Sequence, residues 1–131
     1  MRFLLDTNTC IDLMRHEPNV VAHAQKCVPD ECGVSTVTTY ELMTGAMKCR
    51  RPSEEMKKVA ELIHEVHELS FDRAAAEKSV MIGAELERQG NPIGPYDVKI
   101  AGQAIATGRA LVTSNVAEFS RIDDLAVVNW R

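Results

Sequence analysis

An α/β protein built on a central, mostly parallel sheet is the fold class the sequence predicts, on three observations. Five short apolar runs of strand length alternate with helical patterns along the chain. Glycine and proline fall between those segments rather than inside them. The composition, 45% hydrophobic, 26% charged and 5% aromatic over 131 residues, is that of a globular chain whose core needs no disulfide or metal staple. No repeat, low-complexity tract or long linker interrupts the pattern, so residues 1–131 read as one domain.

The predicted strands are Arg2 to Leu5, Cys32 to Ser35, Val66 to Leu69, Ala110 to Thr113 and Ala126 to Asn129, each with a β-branched or leucine bias. Helical periodicity covers Thr9 to Arg15, Asn19 to Lys26, Val37 to Lys48, Ser53 to Glu65, Asp72 to Gln89 and Tyr96 to Thr107. Pro52 stands before an acidic first turn of Ser53, Glu54 and Glu55, and Pro95 stands before Tyr96 and Asp97; both are start signals. Gly90 and Gly108 follow the fifth and sixth helices, where a left-handed residue ends a helix at least cost. Right-handed crossovers then bring the carboxyl ends of the strands and the amino ends of the helices to one rim, where open α/β folds bind ligands.

The net charge is -4 and the isoelectric point about 5.5, so an overall positive field that attracts nucleic acid is excluded. Any nucleic-acid partner must be held locally. No apolar run reaches the roughly 18 to 20 residues of a membrane helix, and Met1 to Leu5 leads into Asp6 without a signal-peptide stretch; a cytoplasmic protein with no membrane partner is expected. Cys10, Cys27, Cys32 and Cys49 contain no CxxC pair and read as reduced, mostly buried fillers. His64 and His67, without further ligands nearby, read as a half-exposed pair at a helix end.

The acids carry the functional signal through their positions. Asp6 closes the first strand, Glu41 lies in the first turns of the helix after the second, Asp97 opens the sixth helix, and Asn115 and Glu118 follow the fourth strand. Each has a local reading. Asp6 and Asn115 fit helix caps, Thr38-Thr39-Tyr40-Glu41 fits a capping box, and Asp97 complements a helix dipole. Together they put several anions on one rim, where mutual repulsion raises their pKa values unless a cation joins them. Oxygen donors without a thiol or imidazole select magnesium or manganese, and such an ion can activate water against a phosphodiester.

Phe3-Leu4-Leu5-Asp6-Thr7-Asn8, Thr38-Thr39-Tyr40-Glu41-Leu42 with Gly45, Pro92-Ile93-Gly94-Pro95-Tyr96-Asp97 through Gly102, and Leu111-Val112-Thr113-Ser114-Asn115 with Glu118-Phe119 and Arg121-Ile122 resemble, in that order, the PIN domain of VapC-type toxin ribonucleases. The ending Val127-Val128-Asn129-Trp130 fits as well. The resemblance implies a PIN-like sandwich, a five-stranded sheet flanked by helices, and an Mg²⁺- or Mn²⁺-dependent endoribonuclease. It implies Asp6 and Asp97 as metal ligands, and Glu41 as a ligand, direct or through water, that also activates the attacking water. The fourth acidic position of the family falls on Asn115, which removes a charge that Glu118, one turn on, compensates. The resemblance also implies that Thr113 orients a ligand from behind and that Asn8 braces Asp6 or the substrate.

The resemblance further implies an RNA substrate, with tRNA favoured, a VapB-type antitoxin whose tail enters the acidic groove, and a homodimer formed through helices beside the site. Met43, Met47, Met56, Leu62 and Ile63 supply either that interface or core. Lys48, Arg50, Arg51, Lys57 and Lys58 are the basic residues best suited to follow an RNA backbone, or else an ordinary solvated face. Two rivals differ at the site. An aspartyl-phosphate site needs Asp-x-Asp, where this chain has Asn8, or paired acids after the first strand, which it lacks. A catalytically silent PIN-like binding module is the alternative that the Asn115 departure keeps open.

Overall fold

The computed structural model describes residues 1–131. Its strands are β1 (Phe3–Leu5), β2 (Cys32–Ser35), β3 (His67–Leu69), β4 (Ala110–Val112) and β5 (Val127–Val128). The helices are α1 (Thr7–Met14), α2 (Pro18–Gln25), α3 (Thr36–Lys48), α4 (Pro52–Glu65), α5 (Arg73–Arg88), α6 (Pro95–Thr107) and α7 (Val116–Phe119). The strands pair in the order β3-β2-β1-β4-β5, and every pairing is parallel. The sheet is therefore wholly rather than mostly parallel. No helix is long and apolar enough to cross a membrane.

Alternation along the central strands builds two cores. Leu5, Val34 and Val112 face one side, where Val20, Leu42, Val59, Leu62 and Trp130 join them, while Leu4 and Leu111 face the other with Leu86, Ile100, Ala104 and Phe119. Trp130 seals the first core with its ring centroid 5.1 Å from that of Phe3, and His23 stacks on it at 5.7 Å. In the second core α6 lies hard against α5: a Cβ on Gly102 would stand 2.8 Å from Ser79 Cα, so only glycine permits this approach.

The expected stops hold. Gly108 caps α6 with φ of 66° and Gly90 follows α5 at 74°, both left-handed. Other readings shift. The cap of α3 is Ser35, whose Oγ accepts from Val37 N at 3.0 Å, so Thr38 lies inside the helix and the capping box does not form. His64 lies in the last turn of α4 while His67 opens β3; both are exposed and do not share a helix. Cys10 and Cys32 are buried, Cys27 and Cys49 half-buried, and all four are free thiols.

Strand order decides where a site can form. Chain progression runs outward from β1 through β2 to β3, then returns to the other side of β1 for β4 and β5. The direction reverses between β1 and β4, and the crevice beyond their carboxyl ends is the natural ligand position of such a sheet.

Candidate active site

Asp6 follows β1 directly, and its backbone N–H still donates to the Val112 carbonyl at 3.0 Å, so the sheet ladder holds it at the reversal point. It is only 4% exposed. Its Oδ1 accepts from Thr9 N at 2.8 Å, capping α1, and Thr9 Oγ1 in turn donates to the Val112 carbonyl at 3.0 Å. The cap and the candidate ligand are one residue: one carboxylate oxygen serves the helix and the other has no protein donor. Asn8 is exposed and makes no side-chain hydrogen bond to Asp6, which is braced by Thr9 instead; of the two roles expected of Asn8 this leaves contact with the substrate.

Glu41 reaches the same rim from the second turn of α3. Its Oε1 accepts from the Thr7 hydroxyl at 2.7 Å, and the buried Thr38 hydroxyl stands 3.2 Å from that of Thr7. Thr7 and Thr38 thus tie α1 to α3 across the site. Sequence reasoning assigned neither this role; the signal available was the hydroxyl beside Asp6.

On the other side of the reversal, Asp97 sits in the first turn of α6, half-buried. Burial, and then the negative charges of Glu118, Glu41 and Asp6, push its carboxyl up from the ordinary value to about 6. Carboxylates from β1, α3, α6 and α7 therefore feel one another across one small region. Asn115 and Glu118 are joined by a bond from Asn115 Nδ2 to Glu118 Oε2 at 2.8 Å, and the buried Thr113 hydroxyl accepts from Asn115 N at 3.0 Å. Thr113 orients the loop that carries Asn115.

None of the chain's six ion pairs involves Asp6, Glu41, Asp97 or Glu118. Each acid is held by neutral donors or by none, which leaves excess negative charge at the rim. Three acidic side chains do not already enclose a common point at coordination distance. The donor set nevertheless fits a small hard divalent ion: all its atoms are oxygens, and the Cys10 thiol on α1 is fully buried and held protonated by burial and by the Asp6 charge.

A groove of about 480 Å³ runs from Thr7 and Glu41 between α1, α3 and α4 to Arg15 and Lys58. Of the basic residues Lys48, Arg50, Arg51, Lys57 and Lys58, all exposed, Lys58 lines this groove, and Arg51 and Lys58 are engaged by Glu54 and Glu55 at 3.6 and 3.1 Å. Of the apolar residues considered for an interface, Leu62 is core and Met56 and Ile63 pack against it, whereas Met43 and Met47 are 38% and 64% exposed.

The PIN domain model matches residues 3–125. The tRNA(fMet)-specific endonuclease VapC of Shigella flexneri is 36% identical over 130 residues, covering 99% of this chain and 98% of that protein. Ribonuclease VapC2 of Haemophilus influenzae strain Rd is 30% identical over 131 residues, with the same coverage. Among solved structures, the DNA-bound VapBC of Salmonella typhimurium superposes with a TM-score of 0.93 at 36% identity, covering 100% of this chain and 99% of that one. VapBC2 of Rickettsia felis bound to a promoter DNA fragment gives 0.94 at 27% identity, covering both chains fully. With the acids at the reversal point and that agreement along the whole length, the chain belongs to the VapC group of the PIN-domain family.

Proposed function

We propose that the chain is a divalent-metal-dependent endoribonuclease and the toxin of a VapBC-type toxin-antitoxin pair, acting in the cytoplasm on structured RNA, with tRNA the favoured substrate. The observation that carries the reading is the placement of Asp6 at the end of β1, Glu41 on α3, Asp97 in the first turn of α6 and Glu118 on α7 along one rim, none of them ion-paired with a cation of the chain. The names of the relatives support the substrate class: two are tRNA(fMet)-specific endonucleases and others ribonucleases. PIN-domain nucleases are generally dependent on a divalent metal; Mg²⁺, with Mn²⁺ able to replace it, is the ion we assign here.

Asp6, through its oxygen free of the helix cap, and Asp97 would hold the ion, with Glu41 joining directly or through water. Bound there, such an ion would supply Lewis-acid polarisation of a phosphoryl oxygen and make water more acidic near neutral pH. Glu41 takes the proton of the attacking water, and the Thr7 hydroxyl on its Oε1 keeps that carboxylate turned toward the rim. Asn115, an amide at the family's fourth acidic position, and Glu118, bonded to it, orient water and substrate from the α7 side, with Thr113 behind them.

An acidic rim also suits a guanidinium, which matches carboxylates with two parallel hydrogen bonds, so an arginine in the tail of a VapB-type antitoxin silences the enzyme by taking the place of the cation. A homodimer forms through the exposed Met43 and Met47 side of α3.

The test is cleavage of total tRNA by the purified chain. Chelation by EDTA stops it and Mn²⁺ restores it; an unchanged rate in EDTA refutes the metal assignment. Expression of the chain alone arrests growth, and co-expression with the antitoxin relieves the arrest. The charge missing at Asn115 favours one second reading, a silent RNA- or protein-binding module. That reading requires RNA binding without cleavage in Mn²⁺.

A further inference from the structure

The chain has two tyrosines, and both stand at the rim. Tyr40 precedes Glu41 on α3 and Tyr96 precedes Asp97 on α6, so the residues that place the acids also place the rings. The ring centroids are 5.8 Å apart at a tilt of 45°, an open wedge rather than a closed stack. Both remain exposed, Tyr40 by 56% and Tyr96 by 37%, although large aromatic surface is costly to leave in water. Lys99, one turn along α6, holds its Nζ 5.4 Å from the Tyr96 ring centroid, which puts a cation beside the pair in a chain of net charge -4.

Resting on the nuclease reading, we infer that Tyr40 and Tyr96 form a platform that stacks an unpaired base of the RNA beside the phosphate to be cut, with Lys99 meeting its backbone. Single-stranded RNA is recognised by just such a combination, exposed aromatic faces with an adjacent cation, because every base offers a π-face and every linkage a charge. The placement also answers a need of the reaction. The acidic rim repels the RNA backbone until an ion arrives, and base stacking is an attraction that this repulsion does not weaken. The competing occupant is a second copy of the chain, since Met43 and Met47 continue the exposed face of α3 beyond Tyr40. Against the Met43 and Met47 interface extending over the tyrosines, Lys99 lies beside Tyr96, and lysine is depleted from the centres of protein interfaces.

The experiment uses the full chain and a hairpin RNA with one 2-aminopurine in its loop. Steady-state cleavage in Mn²⁺, quenching of the analogue's fluorescence and sedimentation are followed for the wild type, Tyr40→Ala, Tyr96→Ala and the two phenylalanine variants. The alanine variants raise KM by about 5- to 150-fold, the worth of one lost stacking contact, with kcat changed far less. They also lose the quenching, the phenylalanine variants keep both, and sedimentation is unaltered. Alanine variants with wild-type KM and quenching overturn the platform and leave the nuclease reading intact. A weaker interaction that follows only from dissociation of a dimer assigns the face to a second copy and also overturns it. If the wild type quenches the analogue but cuts nothing in Mn²⁺, the platform stands and the nuclease reading fails.

Discussion

Helix α1 carries a buried acid near each end, and the chain treats them in opposite ways. Asp12, 8% exposed, is met by the C-terminal Arg131 in a two-pronged pair, Nε to Oδ2 at 3.0 Å and a terminal nitrogen to Oδ1 at 3.1 Å. Asp6, 4% exposed, receives one backbone N–H and faces other carboxylates. A guanidinium brought from the far end of the chain shows how this fold satisfies a structural acid: it supplies a fixed countercharge with matched geometry. At the rim no acid is ion-paired, and the Asp97 carboxyl, raised first by burial and then by its acidic neighbours, records the cost. Acids kept together at a cost to stability, beside acids that are neutralised, separate a site from a scaffold.

The contrast is broken most strongly by neutralising the rim. Asp6→Asn or Asp97→Asn lowers metal-dependent RNA cleavage by more than about 100-fold, beyond what loss of a supporting partner costs, while thermal melting stays unchanged or rises. A rate assay beside calorimetry checks both halves. Arg131→Ala does the reverse. It leaves Asp12 buried without its countercharge, lowers the melting temperature and leaves the rate per folded molecule intact.

A third change moves the rim without touching its charge. Gly102→Ala forces α6 away from Ser79 and costs about 1 to 3 kcal/mol by overpacking; because α6 carries Asp97, cleavage falls as well. Denaturant unfolding and the rate assay read it together. The smallest effect is in pH. The folded Asp97 carboxyl, at about 6, lies above its unfolded value of 3.8, so its charge opposes folding above pH 6, and that opposition fades as pH falls from 6 toward 4. The stability advantage of Asp97→Asn, about 1 kcal/mol near pH 7.5 after allowance for solvent screening at a half-buried group, therefore vanishes near pH 4 in metal-free buffer. Melting curves of the two proteins at both pH values measure it.

Much of this architecture is legible along the chain because its signals are local. Strand and helix placements agree within about two residues, since Pro18, Pro52 and Pro95 open helices where φ must already be helical and Gly90 and Gly108 close them where φ must be positive. The capping-box alternative for Glu41 falls away because Ser35 and Thr38 both satisfy a capping pattern, and the extended conformation of Ser35 selects between them. The convergence of the acids follows from strand-then-helix alternation. The hydroxyl link from Thr7 to Glu41, the tyrosine pair and the anchoring of Asp12 by Arg131 do not, because each joins residues from separate segments whose approach depends on strand order.

By itself the sequence determined the parallel α/β class, the rim to which the acids belong and the family, because period, caps and motif order are written in neighbouring residues. Tertiary structure alone decided the reversal between β1 and β4, and with it which carboxylates share a field and which has a cation of its own. The physical reason is range: backbone preferences act over one turn of chain, whereas Coulomb interaction and side-chain contact depend only on distance in the folded molecule.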